Sequence, residues 1–316
     1  MSAAVEHREL PEAAAVLARL TAAVKSAVVL RDETVRLVLV AMMARGHVLL
    51  EDVPGVGKTL LARTLAQALG GDFKRVQFTP DLLPADVTGG NIFDPKTAEF
   101  HFRPGPVFAN IVLADEINRG TPRAQSSLLE AMGESSVSVD GTTHRLPDPF
   151  LVIATQNPIE QYGTFPLPES ELDRFAMQLR LGRPDETQAR EILRRHEHAE
   201  PAHDGEAVCD LDTVRRLQAQ VLEVHVSEAA RSYIAAITIA TREHPQVGLP
   251  ASPRASVALL RTAQAYAVHS GRGWVLPDDI KAVCPAVLAH RLGVSAATPE
   301  DVVGEILGTV PVPLDV

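Results

Sequence analysis

Apolar positions along the chain fall into two textures. From residue 10 to 45, Leu10, Val16, Leu17, Leu20, Val24, Val35, Leu37, Val38 and Met42 recur at helical spacing, which predicts helix over that stretch. Short apolar runs then alternate with helical segments. Residues 47–50, 73–78, 111–114, 150–155 and 177–181 read as strands, and 58–69, 123–132 and 169–175 read as helices. Short, uniformly apolar strands separated by helices predict a parallel sheet of five strands covered on both faces. Two segments break the alternation. Ile92-Phe93 and Phe100-His101-Phe102 flank Asp94-Pro95, and Val137 and Val139 alternate with serines before Asp140-Gly141. Both predict inserted hairpins, the second with a two-residue turn, and both are candidate contact surfaces. Beyond Gly182-Arg183-Pro184 the pattern becomes helical, over 186–195, 212–224, 228–242, 253–270 and 277–288, with a loop around His203-Asp204-Gly205 and no strand. A boundary near 183 is expected, with an α/β domain over residues 1–183 and an all-α domain over 184–316.

Composition narrows the classes. A chain of 316 residues suits two domains at roughly 100–200 residues each. With 46% hydrophobic residues it can fill a large core, so a disordered chain is excluded. The formal charge is −10, from 30 Lys and Arg against 40 Asp and Glu, and no dense basic stretch offers itself to a phosphate backbone. Nucleic acid is therefore not the expected partner. Cys209 and Cys284 are the two cysteines, too few and too far apart for a disulfide framework or a zinc knuckle. Glu6, His7, Arg8 and Glu9 stand where a signal peptide needs an apolar core, and the apolar run 37–44 is far shorter than a membrane span. A cytoplasmic protein with no membrane insertion is expected.

The strongest chemical signal is Asp52-Val53-Pro54-Gly55-Val56-Gly57-Lys58-Thr59, between a strand and a helix. Glycines there let backbone N–H groups crowd around a phosphate, and the helix N-terminus adds partial positive charge. Lys58 would reach the β- and γ-phosphates and Thr59 would hold Mg²⁺. The nucleotide-binding set is expected to run from Asp52 through Leu60. Its first position is Asp rather than the Gly of the strict phosphate-loop pattern. The second signal, Asp115-Glu116, ends an apolar strand, which brings two carboxylates to the sheet edge where ligands of open α/β folds bind. Asp115 suits Mg²⁺ and Glu116 the attacking water. Third, Asn157 ends another strand and could hydrogen-bond a γ-phosphate, or simply form a turn before Pro158. Arg174 lies near the end of a short helix. Arg254 follows Ser252-Pro253, an N-cap and first-turn pair, so it sits where the helix dipole disfavours a cation. An anionic partner would offset that. His196, His198 and His203 invite a metal reading, but an exposed helix end running into a loop accounts for them more simply.

Taken in order, these residues resemble an AAA+ ATPase, and the details are similar to the MoxR family. The carrying stretches are 47–59 (HVLLEDVPGVGKT), 77–86 (QFTPDLLPAD), 114–119 (ADEINR), 154–158 (ATQNP) and 252–255 (SPRA). The resemblance implies a P-loop NTPase core with inserted hairpins near 88–103 and 136–148, a helical lid, ATP and Mg²⁺ as ligands, and assembly as a homo-oligomer, commonly a hexameric ring. It implies Asn157 as sensor 1, Arg254 as sensor 2 tying the lid to the nucleotide, and Arg174 as an arginine finger serving a neighbour. It also implies remodelling of a client protein complex with a partner carrying a von Willebrand factor A (VWA) domain. Gln77 is a candidate switch residue restraining Glu116. Where the family often has Val-Val-Gly-Gln near the adenine, this chain has Val28-Val29-Leu30-Arg31. A chelatase-like motor, a nucleic-acid motor and a nucleotide-gated module with little hydrolysis remain as rivals. No Asn-Lys-x-Asp sequence supports a GTPase.

Overall fold

The computed structural model describes residues 8–158, 163–197 and 206–313. His198 and His203 of the histidine trio, the loop around His203-Asp204-Gly205, and Glu6 and His7 lie outside them. The first described helices are α1 (Pro11–Ala27) and α2 (Asp32–Met43), not one helix over 10–45. Val28 and Arg31 are extended, with ψ of 131° and 142°. The adjacent β-branched Val28 and Val29 resist helix weakly, while Asp32 and Glu33 favour a fresh helix N-terminus.

Strands β1 (Val48–Glu51), β2 (Phe73–Gln77), β5 (Ile111–Asp115), β8 (Leu151–Gln156) and β9 (Met177–Leu179) form one parallel sheet in the order β2-β5-β8-β1-β9. This is the expected five-stranded sheet. β5 and β8 are buried along almost their whole length, which explains why they read as unbroken apolar runs. Helix α3 (Lys58–Ala68) follows β1, and α5 (Pro122–Glu134), capped by Thr121 on Ala124 N–H, follows β5. A short α4 (Pro84–Thr88) leads into β3 (Gly89–Asp94), which pairs antiparallel with β4 (Glu99–Pro104) as the first inserted hairpin. The second hairpin pairs β6 (Ser136–Val139) with β7 (Thr142–Arg145). Its turn residues Asp140 and Gly141 both have positive φ, 48° and 81°, as the two-residue turn requires. The hairpins touch each other: Phe102 stacks on His144 at 3.8 Å between ring centroids, and Asn91 donates to Asp140 Oδ2 at 2.7 Å.

The helix expected over 169–175 shortens to α6 (Glu169–Leu172), because the backbone carbonyls of Asp173 and Phe175 turn to the buried Arg291. Beyond residue 183 lie α7 (Glu186–His196), α8 (Leu211–Glu223), α9 (Glu228–Glu243), α10 (Pro253–His269), α11 (Pro277–Leu288) and α12 (Pro299–Thr309). The sequence reading omitted α12. It also expected no strand here, whereas β10 (Val247–Leu249) and β11 (Gly293–Val294) form a small antiparallel pair. Two- and three-residue strands are too short to leave an alternating signal. One buried cluster runs from α1 and α2 through α3 and one sheet face into α8, α9, α10 and α11, joining the N-terminal helices to the C-terminal ones.

Candidate functional site

The loop after β1 is built to leave its backbone amides free. Gly55 and Gly57 have φ of +86° and +93°, a conformation that favours glycine, and a Cβ on Gly55 would meet nothing within 4 Å. Helix α3 starts at Lys58 with Gly57 at the cap position and no side chain closing its N-terminus. First-turn amides thus stay available to an anion. Lys58 Nζ donates to the Asp52 carbonyl at 2.7 Å. Burial pushes its pKa below the ordinary lysine value, against the pull of Asp115, Asp52 and Glu116.

A cavity of about 430 Å³ brings together Pro54, Gly55, Gly57, Lys58, Thr59, Leu60, Asp115, Glu116 and Asn157, as the sequence expected, and adds Arg75 and Gln77. Asn157 is buried there at the end of β8. A second, more apolar cavity of about 290 Å³ adjoins it at Gly55, Gly57 and Leu60, and includes Val28, Val29, Leu30 and Val56. The break between α1 and α2 therefore supplies one wall of a slot beside the phosphate loop, of a size and polarity that suit a purine base. A roomier recess of about 510 Å³ around Arg45, His47 and Arg145 brings none of the expected residues together.

Two expected residues are placed otherwise. Asp52 is buried, and its carboxylate accepts from Leu181 N–H at 2.5 Å and Gly182 N–H at 3.1 Å. Those backbone donors already satisfy the anion, so its side chain serves the exit of β9 rather than a phosphate. Val53 lines neither cavity.

The acid pair is held by Thr155 and Arg119, to which the sequence reading gave no role, and by Gln77, which it expected. Thr155, fully buried on β8, donates its hydroxyl to Asp115 Oδ1 at 2.7 Å and accepts from Glu116 N–H at 2.8 Å. Glu116 takes a left-handed conformation (φ 55°, ψ 50°) at the start of the turn after β5. Gln77 Nε2 donates to Glu116 Oε2 at 2.8 Å, and Arg119 reaches the same oxygen at 3.2 Å. Gln77 thus contacts the acid it was expected to restrain. The structure sets it opposite Asp115 in the β2–β5 register.

Arg174 and Arg254 lie elsewhere, together. They open into a recess of about 200 Å³ with Asp173, Arg261 and Arg291. Arg174 donates to the Leu129 carbonyl at 3.0 Å. Asp173 joins the two: its carboxylate accepts from Arg291 Nε at 2.7 Å and from Ser252 Oγ, the N-cap of α10, at 2.8 Å. Arg291, almost wholly buried, also donates to the Phe175 carbonyl at 2.5 Å. Arg254 is absent from the lining of the phosphate-loop cavity, so the expectation that it binds its own chain's nucleotide does not fit its placement.

Comparison with known proteins gives the family. Residues 47–177 match the family of ATPases associated with various cellular activities, and residues 239–307 match the AAA lid domain. The chain is 41% identical to the chaperone MoxR1 of Mycobacterium tuberculosis over 92% of its own length and 80% of that protein's. The chain belongs to the MoxR family of AAA+ ATPases. It is also 50% identical to YeaC of Bacillus subtilis, an uncharacterised protein, over 87% of this chain and 88% of that one. A crystal structure from Cytophaga hutchinsonii, described as a candidate ATPase, superposes with a TM-score of 0.89 at 36% identity, covering 96% of both chains. No helix among the described residues is long and apolar enough to cross a membrane.

Proposed function

We propose that this MoxR-family protein hydrolyses ATP in a site shared between neighbouring subunits of a homo-oligomeric ring, commonly a hexamer in the family, and uses the cycle to remodel a client protein complex together with a VWA-domain partner. ATP fits the residues present. The open amides of the phosphate loop and the Lys58 ammonium receive the triphosphate, while Val28, Leu30 and Leu60 border the slot for adenine. Mg²⁺ also fits, since the Thr59 hydroxyl and the Asp115 carboxylate are the hard oxygen donors it prefers; when bound it neutralises charge on the β- and γ-phosphates. Glu116 accepts a proton from the attacking water once Gln77 and Arg119 release it. Asn157 orients the γ-phosphate without adding charge. Arg174 and Arg254 enter from the adjacent subunit and stabilise negative charge as the bond to the leaving phosphate lengthens.

One observation carries the shared-site reading. Lys58, Asp115, Glu116 and Asn157 line one recess, while Arg174 and Arg254 open together into another. A chain acting alone would leave the guanidiniums idle. The test is ATPase rate against protein concentration, with sizing in ATP and in ADP. Turnover per subunit should rise as the ring assembles; a rate independent of assembly overturns the shared site.

A further inference from the structure

The strand β2 contributes a cation that neither the phosphate loop nor the acid pair requires. Arg75 donates to Asp115 Oδ2 through Nη2 at 2.6 Å and through Nε at 3.1 Å, and the same Nη2 donates to Gln77 Oε1 at 2.8 Å. Gln77 in turn holds Glu116. With Thr155 on Asp115 Oδ1, both oxygens of that carboxylate have partners before any metal arrives. β2 is an edge strand, so the guanidinium reaches Asp115 along the open rim of the sheet and stays half-exposed.

From this we infer that Arg75 is a positioning residue that occupies the metal-binding face of Asp115, and that it makes the site accept a divalent cation only in company with a triphosphate. The inference rests on the reading of Asp115 as a Mg²⁺ holder. A bare cation approaching Asp115 meets a positive charge already bound there and must displace it. A metal arriving with ATP brings its own excess of negative charge, which draws the guanidinium off Asp115. Displacing Arg75 also removes the partner of Gln77 Oε1, so metal arrival loosens the amide whose Nε2 is one of the two donors on Glu116. The acids thereby stay neutralised in the empty chain, and nucleotide-free metal does not fill the site.

The test uses Mn²⁺ as the probe, followed by electron paramagnetic resonance without nucleotide on the full-length protein. Arg75→Gln should bind Mn²⁺ about tenfold more tightly than the unmodified chain, the scale expected for removing one partly screened charge beside a divalent ion. That gain should vanish in the Arg75→Gln, Asp115→Asn double variant. Arg75→Lys keeps the charge on a similar stem and should restore the weak Mn²⁺ binding. Because Arg75 is half-exposed on an edge strand, both single variants should fold, and Arg75→Lys against the unmodified chain gives a second, milder comparison. Equal Mn²⁺ affinity in the unmodified chain and Arg75→Gln overturns the inference. Calorimetry of ATP with Mg²⁺ on the unmodified chain separates the two failures: no heat there defeats the nucleotide-site reading itself, whereas normal heat with unchanged Mn²⁺ binding defeats the role of Arg75 alone.

Discussion

The phosphate-loop recess and the arginine recess are opposites in charge. The phosphate-loop cavity is internally balanced, with Lys58 and Arg75 facing Asp115 and Glu116. The arginine recess is not: Arg174, Arg254, Arg261 and Arg291 line it with one carboxylate, Asp173. Balanced charge tolerates an empty state, whereas clustered guanidiniums repel one another unless an anion arrives from outside. On the proposed function, the first recess is a receptor and the second a reagent. A triphosphate seated in a neighbour's loop is the anion that would complete it.

The sharpest way to break the comparison is to remove the reagent and keep the receptor. Arg174→Ala should lower turnover by about 10³–10⁵, the range for arginine fingers, with ATP affinity close to unchanged by calorimetry. Mixing it with Glu116→Gln subunits, which retain Arg174, should recover part of the activity. Intact mixed rings with no recovery would show that the two recesses do not cooperate. A smaller effect is expected from Asp173→Ala, which strands the buried Arg291 without its counter-ion. Losing one partner of a buried pair costs about 3–5 kcal/mol, so the urea midpoint should fall while phosphate-loop chemistry is disturbed only secondarily. An unchanged midpoint would mean that Arg291 is satisfied by backbone carbonyls alone.

The smallest effect concerns pH. The arginine recess leans on the segment between His47 and His290: the His47 carbonyl accepts from Ala176 N–H at 2.8 Å, and His290 Nε2 lies 3.2 Å from the Phe175 carbonyl. Burial lowers the His47 pKa to about 4, and burial together with Arg291 lowers that of His290 well below its ordinary value. An unfolded histidine takes up its proton near 6.5, so between about pH 6.5 and 4 the unfolded chain binds more protons and stability falls as pH falls. His47 alone should cost about 3 kcal/mol by pH 4 and nothing above pH 7. Unfolding midpoints at pH 7.5 and pH 5 check the sign; greater stability at pH 5 would contradict it.

Much of this was legible in the residue order. The sheet strands, both hairpins, the phosphate loop, the acid pair and the Ser252-Pro253 cap each leave a local signature, because a strand, a two-residue turn and a helix start are determined within a few residues. What escaped was set by distant partners. Nothing near Thr155 says that its hydroxyl bonds both Asp115 and Glu116 across a strand boundary, and nothing near Arg75 marks it as facing Asp115 rather than water. Arg291 was silent for the same reason: its ligands are backbone carbonyls around Phe175 and the Asp173 carboxylate, more than a hundred residues earlier. The break at Val28–Arg31 went unread because helical spacing on either side, up to Val24 and again from Val35, was joined across it. Asp52 misled through its place in a motif whose first position is usually glycine.

That Asp52 grips Leu181 and Gly182 ties the root of the loop to the chain leaving β9. A phosphate group seated in the loop would therefore lie one carboxylate away from the chain leaving the sheet. The C-terminal helices follow that chain, so a change of occupant in the loop would be felt first at their root. Cutting that tie with Asp52→Asn would keep a nucleotide seat of the same shape while slackening the line to the helices beyond.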